Sequence, residues 1–201
     1  MKLLAAGPSP YVRKVRMTAK LKGLDAQVEL IGDDHPEIKA LRARNPLGKI
    51  PVLLADDGNI IYDSHVICEY LDSQVASPVL FPGDGAARWQ TLTRAALGDG
   101  ILESALLIVY EGRYRPENMR VGSWVEMQQA KIDSAVAALE AEPPNWGAHP
   151  DYGHVTIAAA LGYLDFRHAG AWRANAPAMV DWLSRFAAVA PAYNETAPPT
   201  A

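Results

Sequence analysis

Two hydroxyl groups near the start of the chain stand where they could hold an anion. Ser9 follows a short apolar run at residues 2–6 and a turn of glycine and proline, and a helical pattern begins directly after it. The hydroxyl of such a residue and the free backbone N–H groups of a helix start can both bind an anion. Ser9 can also act as the helix N-cap. Tyr11 is the nearest alternative hydroxyl.

Basic residues dominate the same segment. Six lysine and arginine residues and no acidic residue lie between Lys2 and Lys22, although the whole chain has a formal charge of -4. This local positive charge would suit a small anion. Arg13, Lys14 and Arg16 either steer such an anion or form an ordinary solvated helix face.

A second polar pair, Asp63 and Ser64, begins a later helical pattern. Both residues can cap the helix, and capping does not exclude binding a ligand at the same place. Cys68 lies on the predicted inner face of this helix, where packing is favoured over chemistry. It is the only cysteine, so no internal disulfide can form. The five histidines lack the spacing of metal ligands, and we therefore expect no metal.

The elements that must position these side chains follow the order βαβαββα. Strands are predicted at 2–6, 27–31, 50–55 and 59–62, the last two forming a hairpin, and helices at 11–22, 37–44 and from residue 63 onward. Beyond residue 88 no strand signal is found, and helical patterns rich in alanine and leucine cover 88–110, 116–141, 152–167 and 176–189. We predict a first domain at 1–74, a linker at 75–87 and an all-helical second domain at 88–201. Its last eleven residues form a docked or frayed tail.

Composition excludes several functional classes. No window approaches the roughly 20 apolar residues of a membrane span, and the apolar run at the start is too short for a signal peptide. The mild negative charge gives no reason to expect nucleic acid. We expect a cytoplasmic protein with neither a membrane nor a nucleic acid as partner, and the single cysteine fits a reducing compartment.

This element order, with SPYVRKV after the first strand and NPLGKIPVL before the hairpin, resembles the glutathione S-transferase family. The resemblance covers nearly the whole chain, and its most specific part is the segment 45–54 followed nine residues later by the Asp63 and Ser64 pair. A closer likeness is to a bacterial branch with TSPFVRK near the start and GYLNFR or GYLDFR late, matched here at 9–14 and 162–167. The resemblance implies an α/β thioredoxin-like N-terminal domain followed by an all-α domain.

The resemblance assigns the reacting sulfur of glutathione to Ser9, whose hydroxyl would hold it as a thiolate. No cysteine occupies this turn, which argues against disulfide exchange through an enzyme thiol. Pro51 stands where the family has a cis-proline after Ile50. The backbone N–H and C=O of Val52 would then pair with the cysteinyl part of glutathione as an added strand does.

The two ends of glutathione are assigned in the same way. Asp63 and Ser64 match the acidic-serine pair at which the γ-glutamyl carboxylate binds. Lys49 lies near the expected place of the glycyl carboxylate, although a solvated surface lysine fits its position as well. Asp99 resembles the acidic residue that, in several classes, reaches across a dimer to the γ-glutamyl ammonium.

The activity implied is transfer of glutathione, as co-substrate, to small hydrophobic electrophiles in detoxification. The electrophile pocket is expected between the domains, and its candidate residues are Tyr11, Tyr110, Tyr114 and Phe166. The alternatives are a glutathione-dependent isomerase of the maleylacetoacetate type and a non-catalytic binding or scaffold protein. Most relatives are two-fold dimers, so a homodimer is expected.

One departure from the family concerns a helix start. The sixth helix of the family usually begins with a Ser/Thr-x-x-Asp capping box, and the equivalent places here are Asp151 and His154. Asp151 can still cap the helix. We expect His154 not to serve as the second member of the box, which puts the local stability of the helix start in question rather than the activity.

Overall fold

A computed structural model describes residues 1–32 and 34–198, and it confirms the predicted fold class: a four-stranded sheet with helices precedes a set of helices. The elements of these residues are β1 Lys2–Leu4, α1 Pro10–Leu21, β2 Glu29–Ile31, α2 Ile38–Ala43, β3 Val52–Leu54, β4 Ile60–Ile61, α3 Ser64–Ser73, α4 Gly85–Tyr114, α5 Gly122–Ala141, α6 Tyr152–Arg167, α7 Pro177–Val189 and α8 Ala192–Glu195. None of the helices in the described part is long and apolar enough to cross a membrane.

The chain divides into two compact units. The first consists of Met1–Gly85 and the C-terminal segment from residue 190 to the end of the described chain, and the second is Ala86–Val189. The division at 1–74, 75–87 and 88–201 stays a prediction about domains. Within the first unit, the C-terminal segment is docked rather than frayed as far as residue 198, and the rest of the predicted tail lies outside the described residues.

The sheet of the first unit has the strand order β2-β1-β3-β4. β1 is parallel to β2 and antiparallel to β3, and β3 is antiparallel to β4. Leu4, Ile31 and Val52 of the sheet form a buried cluster with Leu41 of α2. β2 is shorter than predicted, because Asp25–Gln27 forms a 3-10 turn that takes the residues before the strand.

α1 and α3 cover one face of this sheet. α1 buries an apolar stripe that includes Val12, Val15 and Ala19, and α3 buries Ile67 and Leu71. Residues three and four apart share a helix face, so the 3.6-residue period of these side chains explains both helices.

α4 and α6 of the second unit lie close together. A Cβ atom at Gly98 would stand 2.9 Å from Thr156 Cγ2, and one at Gly153 would stand 2.8 Å from the Thr91 carbonyl oxygen. Glycine is therefore required at both positions for the helices to approach, because these contacts are shorter than any that a real Cβ makes. α6 is buried at every residue from Tyr152 to Leu164.

The start of α6 corrects the prediction for His154, because a capping box does form. The Asp151 side chain accepts the His154 backbone N–H at 3.2 Å, and His154 Nδ1 lies 3.1 Å from the Asp151 backbone nitrogen. His154 Nε2 donates to the Asn145 carbonyl at 3.2 Å, and Nδ1 also lies 2.6 Å from Asp151 Oδ1. An imidazole can therefore replace the usual carboxylate because it also offers an acceptor to the N-cap backbone.

Candidate functional site

Three segments of the first unit meet at one end of the sheet. The register pairs Leu4, the last residue of β1, with Val52, the first residue of β3. β4 is also antiparallel to β3, so the end of β4 lies beside the start of β3. The turn after β1, the start of β3 and the residues after β4 therefore share this end. They carry Ser9, Pro51 with Val52, and Asp63 with Ser64.

Ser9 is the N-cap of α1. Its backbone is extended and its Oγ accepts the Val12 N–H at 3.3 Å, which is long for an N–H···O bond. A hydroxyl that accepts a bond keeps its own hydrogen to donate, and the Ser9 hydroxyl donates to no acceptor in the described part of the chain. Capping and anion binding, which the sequence left as alternatives for Ser9, are thus compatible.

The solvated-face interpretation of Arg13 and Lys14 is wrong, because both side chains are buried. The Arg13 guanidinium donates to the Tyr193 carbonyl at 2.8 Å and lies 4.2 Å from the centre of the Tyr193 ring. Lys14 Nζ lies 5.5 Å from the centre of the Tyr11 ring. Arg16 is half-buried. Two of these three basic residues, Arg13 and Lys14, are therefore part of the packing of the first unit.

The other three basic residues of this segment are each paired with a carboxylate, which offsets part of the predicted local positive charge. The ion pairs are Lys2 with Glu37 at 2.7 Å, Lys20 with Asp25 at 3.2 Å and with Glu195 at 2.8 Å, and Lys22 with Asp72 at 2.8 Å. The hydrogen bond between Lys2 and Glu37 raises the pKa of the lysine and lowers that of the glutamate. The Asp72 carboxylate also accepts the N–H groups of Leu80 and Phe81.

A buried asparagine shapes the loop that leads to β3. Asn45 Nδ2 donates to the Lys49 carbonyl at 3.0 Å, and Asn45 Oδ1 accepts the Leu47 N–H at 3.0 Å. Gly48 has a φ of 62°, which favours glycine. The side chain of Lys49 is exposed while its backbone is held by Asn45. The sequence analysis identified Asn45 as a turn residue and as the start of the family-like segment 45–54, but it did not predict these two hydrogen bonds.

The Ile50–Pro51 peptide bond is cis, as predicted. Ile50 is half-buried, and Pro51 and Val52 are buried. On the β4 side the register begins at Leu53, so Val52 has no register partner there among the described residues. That side of Val52 is where an extended ligand could pair with the strand.

Asp63 is the N-cap of α3. Its Oδ1 accepts the His65 N–H at 3.0 Å and the Val66 N–H at 3.5 Å. Asp63 is exposed and Ser64 is buried. The capping role is therefore present, and it leaves the second carboxylate oxygen and the Ser64 hydroxyl for other partners.

A cavity of about 450 Å³ lies at the other end of the sheet, away from these residues. Its lining includes Met1, Asp56, Asp57 and Tyr70, and the N-terminal ammonium pairs with Asp56 at 2.6 Å. Burial and the two aspartates raise the pKa of Tyr70. We assign no ligand to this cavity, because Ser9, Val52 and Asp63 lie at the opposite end of the sheet.

The remaining predicted residues belong to the second unit. Asp99 lies half-buried on α4 beside Gly98. Tyr110 and Tyr114, also on α4, form an edge-to-face pair with ring centres 5.1 Å apart. Phe166 is on α6, and the Arg167 guanidinium lies 4.0 Å from its ring centre. The assignment of these three aromatic residues to an electrophile pocket stays a prediction.

Sequence reasoning missed the residues that surround those aromatic rings. Arg113 and Arg167 both lie close enough to the buried Tyr163 to influence its ionisation. Tyr163 and Arg167 are four residues apart inside the motif GYLDFR, a helical spacing that the sequence shows. The approach of Arg113 to Tyr163 depends on the packing of α4 with α6, which the sequence does not show.

Two family models match this chain. The model described as "Glutathione S-transferase, N-terminal domain" matches residues 8–74, and the one described as "Glutathione S-transferase, C-terminal domain" matches residues 122–185. The uncharacterized GST-like protein YibF of Escherichia coli (strain K12) is 31% identical over 185 residues, which are 90% of each protein. A maleylacetoacetate isomerase of Pseudomonas aeruginosa is 31% identical over 148 residues, covering 68% of this chain and 69% of the isomerase.

Solved structures are similar over the full length. A glutathione transferase family member from Pseudomonas fluorescens Pf-5 with bound glutathione has a TM-score of 0.92 at 40% identity, with 99% of each chain covered. A second structure of a family member from that organism, with bound S-(propanoic acid)-glutathione, has a TM-score of 0.89 at 39% identity and covers 100% of both chains.

Proposed function

Because the chain belongs to the glutathione S-transferase family, we propose that it is a glutathione transferase. In this reaction the sulfur of glutathione attacks an electrophilic carbon of a small hydrophobic compound. The thiolate, not the thiol, is the nucleophile. The protein must therefore lower the pKa of the thiol of bound glutathione.

The observation that carries this proposal is the Ser9 hydroxyl at the start of α1, whose hydrogen has no acceptor in the described part of the chain. A free thiol has a pKa of about 8.5, and lowering it by about two units needs roughly 2.7 kcal/mol of preference for the thiolate. A hydrogen bond to a charged group contributes roughly 1.5–3 kcal/mol, and a helix N-terminus adds about 0.3–1 kcal/mol. One hydroxyl aimed at the sulfur is sufficient.

The other segments at the same end of the sheet suit the peptide part of glutathione. We assign the cysteinyl backbone to Val52, because the β3–β4 register begins at Leu53 and leaves Val52 without a register partner on the β4 side. The γ-glutamyl carboxylate would accept the Ser64 N–H and hydroxyl, and Lys49 would pair with the glycyl carboxylate. The Pseudomonas fluorescens structures, with glutathione and with an S-substituted glutathione, support both a co-substrate and a conjugated product.

A second candidate is a glutathione-dependent isomerase, which the likeness to the Pseudomonas aeruginosa maleylacetoacetate isomerase favours. In an isomerase the thiolate adds to a double bond and leaves again, so glutathione is recovered unchanged. Analysis of the products separates the two reactions: a transferase consumes glutathione in proportion to substrate, and an isomerase does not.

The test of the proposal is binding of glutathione and S-hexylglutathione by calorimetry, with thiolate absorbance titrated against pH in the same samples. We expect the wild type to bind both ligands and to show a thiol pKa depressed by about two units. Ser9→Ala should restore the ordinary pKa, while Ser9→Thr, which keeps a hydroxyl, should retain most of the depression. Absence of binding by both ligands would favour a non-catalytic protein of this fold.

We propose further that the protein is a homodimer. Trp89 on α4 is 67% exposed in the single chain, and a large exposed aromatic side chain is typical of an interface. Sedimentation equilibrium should give twice the chain mass, and Trp89→Arg should give the mass of one chain. A wild type that sediments as a monomer at micromolar concentration would overturn this proposal.

A further inference from the structure

Two helices of the second unit each carry three aromatic or basic residues, and the spacing of the three is the same on both helices. α4 carries one trio and α6 the other, and in each trio the residues stand at positions i, i+3 and i+4, which share one helix face. The two trios are Tyr110, Arg113 and Tyr114, and Tyr163, Phe166 and Arg167. We call these six residues the aromatic-arginine cluster.

The contacts between α4 and α6 place both trios at the same end of the two helices. Gly98 contacts Thr156 near the middle of α4. Farther toward the C-terminal ends, His168, which directly follows α6, donates from Nε2 to the Ala105 carbonyl at 3.1 Å. The two helices therefore run in the same direction, and both trios occupy their C-terminal parts. Burial lowers the pKa of His168, so its ring is neutral and adds no charge to the cluster.

Tyr163 is the inner member of the cluster and is only 5% exposed. Burial raises the pKa of its phenol, and Arg167 and Arg113 oppose that effect while Tyr110 adds to it. The phenol therefore stays protonated at neutral pH and is a hydrogen-bond donor. A neutral O–H donor with two guanidinium groups nearby is an arrangement that favours an anion.

The two arginines of the cluster are not neutralised by carboxylates. Neither Arg113 nor Arg167 forms an ion pair in the described part of the chain. The acidic residues nearest to them in sequence have other partners: Asp165 pairs with Arg173 at 2.7 Å, and Glu111 pairs with Arg115 at 2.9 Å. The cluster thus keeps two positive charges.

Aromatic surface lies beside these charges. Tyr110 and Tyr114 are 39% and 70% exposed, and they form an edge-to-face pair with ring centres 5.1 Å apart. Their exposed rings offer stacking area to a flat ligand. Stacking on Phe166 at 4.0 Å orients the Arg167 guanidinium, whose planar fork matches a carboxylate.

We propose that the aromatic-arginine cluster is a binding site for an aromatic carboxylate, with the carboxylate at Arg113 and Arg167 and the ring at Tyr110 and Tyr114. The electrophile of the transferase reaction is therefore an aromatic acid rather than an uncharged compound. The first part stands on the cluster alone, and the second part rests on the proposed function.

Binding of 3-nitrobenzoate, measured by calorimetry without glutathione, tests the first part. We expect the wild type to bind it, and Arg113→Gln and Arg167→Gln each to weaken binding about tenfold, because each removes a charge-assisted contact. Arg185→Gln is the matched control, since Arg185 lies on α7 near Trp146, and it should bind as the wild type does. Equal binding by all four proteins, or no binding by the wild type, would overturn the site. Thermal midpoints check that the variants are folded.

Turnover of a matched pair of substrates, 4-chloro-3-nitrobenzoate and 4-chloro-3-nitrobenzamide, tests the second part. In both reactions the C–S bond forms at the carbon that bears chlorine, chloride leaves with the bonding electron pair, and the thiol proton passes to the solvent. The ratio of kcat/KM for acid over amide, each corrected for its uncatalysed rate, should fall about tenfold in each arginine-to-glutamine variant and stay unchanged in Arg185→Gln.

The two experiments separate the possible failures. If 3-nitrobenzoate binds through the arginines but the acid-to-amide ratio does not change, the carboxylate is a non-substrate ligand and the second part is wrong. If glutathione does not bind at all, the proposed function fails, and the binding of 3-nitrobenzoate still decides the first part. Arg113→Lys, which keeps the charge and loses the planar fork, should fall between the wild type and Arg113→Gln.

Discussion

The helix starts of α1 and α6 are capped in opposite ways. At α1 the Ser9 hydroxyl accepts one backbone N–H at 3.3 Å. At α6 the Asp151 carboxylate accepts the His154 N–H at 3.2 Å, the Thr91 hydroxyl at 2.7 Å and the Arg94 guanidinium at 3.2 Å. One cap is a single long bond, and the other is the centre of a network.

The Asp151 cap of α6 serves only to stabilise its helix, whereas the Ser9 cap of α1 still has a hydrogen that it can donate to a ligand. The acceptor positions of Asp151 are occupied by groups of α4 and α6, so nothing is left for a ligand. Ser9 keeps a donor hydrogen, and its helix start gains little from the long bond it makes. A residue that stabilises the fold less than its type usually does is often part of a functional site. Ser9, whose capping bond is long, is such a residue.

Replacing Asp151 should produce the largest effect on stability. Asp151→Ala removes the cap and leaves Thr91 and the buried His154 backbone without their acceptor, so we expect a loss of about 3 kcal/mol in the free energy of unfolding. Asp133→Ala, an exposed aspartate of α5, is the control and should change little. Urea unfolding measures both. A loss below about 1 kcal/mol would mean that the α6 network is not a stabilising unit.

Replacing Ser9 should show the reverse pattern. Ser9→Ala should lower kcat/KM about a hundredfold, because loss of about two units of thiol pKa shift is worth roughly 2.7 kcal/mol. The free energy of unfolding should fall by no more than about 1 kcal/mol. Ser73→Ala, an exposed serine that donates to the Tyr70 carbonyl, is the matched control. Unchanged activity in Ser9→Ala would show that Ser9 does not hold the thiolate, and Tyr11 would then be the candidate hydroxyl.

The sequence predicted the parts of the site that depend on local patterns. The limits of α6 agree at both ends with the predicted 152–167, and Asp63 caps α3 as its position indicated. Ile50–Pro51 is cis, as the resemblance implied. The limits of α6 and the cap of α3 follow from residues within about ten positions of one another, whereas the cis bond was expected only from the resemblance.

The parts that the sequence did not predict depend on distant partners. Arg13 is buried because the Tyr193 carbonyl and ring, 180 positions away, receive it. Asp151, at the capping box of α6, also receives the Thr91 hydroxyl from 60 positions away. Arg113 and Arg167 gain significance only when α4 and α6 bring them to the same tyrosine. Helical periodicity alone gives no information about which helices become neighbours.

A third helix start extends the comparison. α7 begins at Pro177, and its first N–H groups are capped from α5: Glu140 accepts the N–H groups of Ala178 and Met179, both at 3.0 Å. Glu140→Ala should cost about 2 kcal/mol in the free energy of unfolding, since both donors lose their acceptor. The exposed Glu142 gives the matched control, Glu142→Ala, with little change expected. Equal losses in the two variants would show that the cap of α7 adds no stability.

The smallest predicted effect is a pH dependence at the α6 cap. Burial alone would raise the pKa of Asp151, but hydrogen bonds from His154 and Thr91 outweigh it and hold the pKa below the ordinary 3.8. The folded state therefore binds the proton less readily than the unfolded state. The stability that this carboxylate contributes is fully present above about pH 4 and is lost as the pH falls through the folded pKa.

Asp151→Asn isolates this contribution from the other carboxylates. Its thermal midpoint should lie below that of the wild type at pH 7, and the gap should narrow as the pH falls below about 4 and the wild-type carboxylate takes up its proton. Asp25→Asn is the control, because the pKa of Asp25 is also lowered, first by its hydrogen bond with Lys20, but the pair is exposed and screened by solvent. A difference in thermal midpoint that stays constant as the pH falls would show that the Asp151 cap acts through its shape rather than its charge. The caps of α6 and α1 would then differ only in their number of hydrogen-bond partners.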